Sequence, residues 1–125
     1  MSCRFRTLLF AVLFTLPAVP STAQSANVPY ERQLLRLAEV LGSIHYLRNV
    51  CGEKGNQWRD QMEELLATEN PSPERRARLV ASFNHGYRSF QSSYAHCTAS
   101  AVEAIRRYMK EGESLTNEIA SRYGN

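Results

Sequence analysis

The chain has 125 residues, with 15 Lys and Arg against 12 Asp and Glu, a formal net charge of +3 and 43% hydrophobic residues. That length excludes a large multidomain architecture. Arg and Glu are interspersed along the chain rather than segregated, which argues against a strong electrostatic pull toward nucleic acid or a membrane surface.

Arg4 and Arg6 precede an apolar run from Leu8 to Val19 that closes in small residues, the pattern of a secretory signal peptide. The run, about 12 residues, falls short of the roughly 20 needed to cross a bilayer. Pro17 and Pro20 break its far end, so no integral membrane segment is expected after processing. Ser21-Thr22-Ala23 places small side chains where a signal peptidase reads, so cleavage is expected after Ala23, with Ser25 the nearby alternative. Cys3 leaves with the 1–23 signal. Residues 24–29 then form a short linker and 30–123 a single domain, and loss of Arg4 and Arg6 lowers the net charge to about +1.

From Tyr30 to Val50 the apolar positions Leu34, Leu37, Leu41, Ile44 and Leu47 recur every three or four residues, the period of one helix face. Cys51-Gly52 and Gly55 supply the stop and the turn. A shorter helix is expected from Asn56 to Thr68, with Trp58, Met62, Leu65 and Leu66 on one side and Asn56 as its cap. Asn70-Pro71-Ser72-Pro73 breaks the chain. Ser72 before Pro73 and Glu74 is a helix start, with a capping hydroxyl, proline at the first position and an acid in the first turn. The third helix carries the stripe Leu79, Phe83, Tyr87, Phe90 and Tyr94, an aromatic seam expected in the core. Arg75, Arg76 and Arg78 read as the solvated face of its first turns.

The pattern continues through Ala101, Ile105, Tyr108, Leu115 and Ile119 without a proline. A break is expected after Cys97, because Thr98 or Ser100 can cap a new helix, Glu103 can complete a capping box with Ser100, and a rod of nearly 50 residues would bury little of itself. The fourth helix then runs to about Arg122. The fold class is all-α, a small antiparallel bundle of four helices. The mature chain keeps Cys51 and Cys97 in a compartment where thiols oxidise, so one intramolecular bridge is expected. The alternative, a reactive or metal-binding pair, lacks a second Cys or His at ligand spacing. In an up-down-up-down bundle the first and third helices run parallel and finish at one end. Cys51 and Cys97 close those two helices. An unbroken third helix would instead send the fourth beyond the core and leave room for a homodimer.

No catalytic constellation emerges. His45, His85 and His96 read as boundary or surface residues without a partner nucleophile. His pairs at i, i+4, HExxH, C-x-x-C-H, a phosphate loop and a GxSxG elbow are all missing. The expectation is no enzyme, no metal and no cofactor. The segment from Phe83 to Phe90 is the most unusual, because a helix interior seldom spends stability on Asn and Gly among aromatics. Gly86 costs about 1 kcal/mol against Ala, which predicts close approach of another helix. Asn84 and Arg88 could meet a carboxylate such as Asp60 across a helix interface. Trp58, Arg59, Asp60, Asn84, Gly86, Tyr87 and Arg88 together form a candidate polar patch, structural or interacting.

The W-R-D motif at Trp58 to Asp60, F-N-x-G-Y-R-x-F at Phe83 to Phe90 and the flanking cysteines resemble a family of short exported alphaproteobacterial proteins of unknown function. The resemblance extends from L-x-x-L-A-x-V-L-G at Leu34 to I-A-x-R-Y-G at Ile119. It implies a periplasmic protein of the cell envelope and transfers no catalytic residue. The expected function is a non-enzymatic interaction or accessory module acting through its helical surface. Its partner would be an envelope protein or peptidoglycan-associated machinery, and Trp58, Arg59, Tyr87 and Arg88 are the candidate contacts. The alternative is a small-ligand binder with a pocket between helices.

Overall fold

The computed structural model describes residues 28–124. The apolar run from Leu8 to Val19, Cys3 and the expected cleavage sites lie outside the described residues. Four helices follow in order: α1 (Glu31–Val50), α2 (Gln57–Glu69), α3 (Pro73–Gln91) and α4 (Ala99–Tyr123). Their ends follow from local chemistry. Cys51 ends α1, and Gly52 beside it adopts φ 96°, a left-handed conformation that glycine enters without a Cβ penalty. The Ser72 hydroxyl accepts a hydrogen bond from the Arg75 amide at 3.3 Å, with Pro73 in the first turn. Asn56 occupies the cap position of α2 without a side-chain bond.

The helix break near Cys97 is present, but it comes earlier than the aromatic stripe suggests. α3 stops at Gln91, so Tyr94 lies in the connection. Ser92 and Ser93 both turn their hydroxyls onto the Ser89 carbonyl of this last turn, and Ser89 turns its own onto that of His85, a competition that weakens helix continuation. Tyr46 then donates its hydroxyl to the Tyr94 carbonyl and holds the connection against α1. Thr98, rather than Ser100, caps α4 by accepting from the Ala101 amide at 3.1 Å. Glu103 pairs with Arg106 instead of completing a capping box.

Helix directions follow from the side-chain pairs. Glu31 meets Arg75 near the starts of α1 and α3, and Tyr46 meets Tyr87 toward their ends, so these two helices are parallel. Tyr30 meets both Glu69 and Tyr123 at the far ends of α2 and α4, which are therefore antiparallel to α1. The Cys51–Cys97 disulfide closes the opposite end. α1 is the axle: it packs against each of the other helices, while α2, α3 and α4 pack far less against one another. Two apolar clusters form around it, one from Leu34, Ala38, Met62, Leu66, Leu79 and Phe83, the other from Leu47, Ala101, Ala104 and Ile105.

The α1–α3 contact is close enough to exclude side chains. A Cβ on Gly42 would lie 1.9 Å from the Phe83 carbonyl oxygen, and one on Gly86 would lie 2.0 Å from that of Glu39. Gly86 therefore sits where the two backbones touch. At the other end of the axle, Arg75 is buried rather than solvated, because its guanidinium bonds Glu31 Oε2 at 3.0 and 2.7 Å and reaches Glu69 at 3.4 Å. A buried cation is tolerable only with such partners. The bidentate Arg36–Glu111 pair, at 2.6 and 2.9 Å, joins α1 to α4.

Candidate functional site

Three helices around an axle leave three seams. The α3–α4 seam is filled by aromatics: Phe90 meets Tyr108 edge-on at 5.2 Å and stacks on Tyr94 at 6.0 Å. The other two are open. Between α2 and α3 lies a cleft of about 280 Å³ whose floor is His45 of α1. Between α2 and α4 lies a groove of about 610 Å³ floored by Leu37, Val40, Leu41 and Ile44, and a further hollow of about 270 Å³ extends it past Leu65 and Thr68.

The candidate polar patch is divided by this arrangement. Arg59, Asn84 and Tyr87 line the α2–α3 cleft. Trp58, one residue from Arg59, is turned about 100° around α2 and lies on the groove. There its Nε1 donates to Glu53 at 2.9 Å, and the Arg48 guanidinium, itself paired with Glu53, lies 5.8 Å from the ring centre. Gly86 is buried in the α1–α3 contact. Asp60 and Arg88 are exposed. The expected meeting of Asn84 and Arg88 with Asp60 does not occur, since among the described residues none of these side chains forms a hydrogen bond or ion pair with another.

His45, like Arg75, is buried where the sequence suggests a boundary or surface position. It is 7% exposed, with its ring 6.0 Å from Phe83 and 5.7 Å from Tyr87. Its Nδ1 is buried without a hydrogen-bond partner, a state that costs about 1–3 kcal/mol and that folded proteins seldom keep. Burial, reinforced by the positive charge of Arg59, pushes the imidazole below its ordinary range, against weaker opposing pulls from Asp60 and Glu53. The ring is therefore neutral at neutral pH. One signal for its burial lies in the spacing: His45 follows the fully buried Ala38 by seven residues, which places both on one face of the helix.

Among the described residues no group of three or more His, Cys, Asp or Glu side chains is placed to hold a metal ion, and no helix is long and apolar enough to cross a membrane. The family described as "Protein of unknown function (DUF2385)" matches residues 29–123. The chain belongs to this family. No curated protein and no solved structure matches it. The DUF2385 match takes in all four helices, both bridged cysteines and every residue of the cleft and the groove. Both seams are thus features of the family's matched region rather than of an appended tail.

Proposed function

We propose that this DUF2385 protein is a non-enzymatic interaction or accessory protein of the cell envelope, working in the periplasm by seating a helix of an envelope partner in the α2–α4 groove. The partner is an envelope protein, including those bound to peptidoglycan. The export pattern around Leu8 to Val19 supports the compartment. The observation that carries the reading is the incompletely covered side of α1, where Val40 and Ile44 are buried and their neighbours are not. Leu37 and Leu41 are half-buried on the groove floor, Trp58 is half-buried at one end, and Met109 is 38% exposed on the wall. Trp supplies much of the energy of many interfaces and Met adapts to a partner's shape.

The groove runs from Trp58 to Glu69, a length of about 16 Å, enough for three turns of a docked helix. Its walls are charged unequally. Arg106 and Lys110 stand near the Trp58 end, while Glu64 and Glu113 stand further along. The complementary helix carries an apolar stripe, acids toward the Trp58 end and bases toward the Glu64 end. A photo-crosslinking residue at Met109 is expected to capture an envelope protein in cells, and Leu41→Arg is expected to abolish that capture while the circular-dichroism melt stays near that of the parent. Equal capture from Val102, which is exposed outside the groove, would overturn the proposal. So would persistence of the crosslink in Leu41→Arg, or no capture at all from Met109.

A further inference from the structure

The α2–α3 cleft lies on the opposite side of α2 from the groove and has a different chemistry. Its walls are apolar, built from Met62 and Leu66 of α2 and Val80 and Phe83 of α3. Four polar groups converge on it from three helices: His45 below, Asn84 and Tyr87 on one side, Arg59 at the rim. Among the described residues, none of their side chains makes a hydrogen bond or ion pair with the protein. Among the described residues Arg32, Arg88 and Arg107 also lack an ion pair, but Arg59 is set apart by lining the same cleft as an unsatisfied buried imidazole.

All four groups can donate: a guanidinium, an amide NH2, a phenol and the remaining N–H of a neutral imidazole. Of the lining residues one is an acid, Glu63, which is exposed and faces Arg76 at 3.7 Å, while Asp60 and Glu53 act on His45 only as the weaker opposing pulls. A set of donors with one unspent positive charge over an apolar trough fits an anion with a hydrophobic body. The volume, about 280 Å³, falls just below the roughly 300–1,000 Å³ typical of small-molecule sites. That limits the body to a single ring or a short branched chain.

The geometry points to a binding site for a small hydrophobic carboxylate in the α2–α3 cleft, its carboxylate held by Arg59 and Asn84 and its apolar body laid on Met62 and Phe83 above His45. The imidazole closes the floor of the site and offers its ring to a polar substituent on that body. Because burial and Arg59 keep the ring neutral, it adds no second positive charge, and selection for the anion falls on Arg59. This site is independent of the groove, so failure of either proposal leaves the other standing.

Phenylacetate serves as the probe and its uncharged analogue phenylacetamide as the control. In a titration of the isotope-labelled protein followed by NMR, phenylacetate is expected to shift the amides of Arg59, Met62, Phe83, Asn84 and Tyr87 and the ring nitrogens of His45 in one saturable process. Phenylacetamide is expected to bind at least about tenfold weaker, the loss of one charge-assisted contact. Arg59→Gln, at an exposed position, is expected to keep the fold and erase that tenfold preference. His45→Phe is expected to abolish the shifts, and Arg59→Gln supplies the decisive comparison should that buried variant fail to fold. Absence of saturable shifts at millimolar phenylacetate would overturn the inference. Equal affinity for the two compounds, or an unchanged preference in Arg59→Gln, would do the same.

Discussion

Gly86 and Gly112 are both helical glycines, and replacing each by alanine is expected to act differently. Alanine favours a helix over glycine by about 1 kcal/mol at either position. At Gly86 the new methyl would lie 2.0 Å from the Glu39 carbonyl oxygen and 2.8 Å from Ser43 Oγ. The first obstacle is backbone of the axle helix, which cannot yield without moving the core, and overpacking of this kind costs about 1–3 kcal/mol or more. Gly86→Ala is therefore expected to lose about 2 kcal/mol or more in urea melts. At Gly112 the methyl meets only Val40 Cγ1 at 3.3 Å, a side-chain atom able to give by a few tenths of an ångström. Gly112→Ala is expected to fall within about 1 kcal/mol of the parent. A parent-like melt for Gly86→Ala would mean that α1 and α3 are not in backbone contact.

Among the elements, α1 owes its central place partly to a polar lock at its first turn. Glu31 and Arg75 are both buried, Glu69 joins them from the end of α2, and Glu31 Oε1 is left without a hydrogen bond. Arg75→Met would leave Glu31 only the Arg78 guanidinium at 3.7 Å and Glu69 only the Tyr30 hydroxyl at 3.4 Å, and breaking a buried pair from one side costs about 3–5 kcal/mol. Glu31→Leu combined with Arg75→Met is expected to recover much of that loss, and a double-mutant cycle of thermal melts measures the difference. Additive single losses would show that the pair is not coupled. This lock also shows where periodicity was legible and where charge misled. Glu31 precedes Leu34 by three residues and Arg75 precedes Leu79 by four, so both lie on the buried stripes of their helices. Their charge argued for solvent, and the partner that makes burial tolerable comes from another helix, which no single-helix pattern contains. Helix ends were legible wherever one local group decides them, as at Ser72-Pro73, Gly52 and Thr98. The end of α3 was not, because Tyr94 keeps the aromatic spacing while serine hydroxyls and the Tyr46 contact turn the chain away. For the site, Arg59, Asn84 and Tyr87 could be named from residue type. Their separation from Trp58 depends on which neighbour each face of α2 meets, and that is set by packing around α1.

At the scale of the molecule, the disulfide fixes the one junction where the chain could have continued straight. Cys51 ends α1, and Cys97 precedes the cap of α4. The bridge thereby holds the start of α4 against the Leu47, Ala101, Ala104 and Ile105 cluster, and folds α4 back along α1 to reach Arg36 through Glu111 and Tyr30 through Tyr123. The cysteines are 46 residues apart in sequence, and a loop of that length contributes about 4 kcal/mol in the chain-entropy model. For a domain of this size that corresponds to a fall in Tm of about 16 °C or more. Reduction is expected to expose two thiols to a colorimetric reagent and to lower Tm by that margin. The loss is also expected to be uneven. The Glu31–Arg75 end keeps its own polar lock, whereas the bridged end relies on a four-residue cluster and aromatic contacts, so hydrogen exchange in reduced protein should accelerate first from Ala99 to Ile105. An unchanged thiol count would refute the bridge. Uniform acceleration along all four helices would show instead that the bundle opens as a single unit, with the axle transmitting the loss from one end to the other.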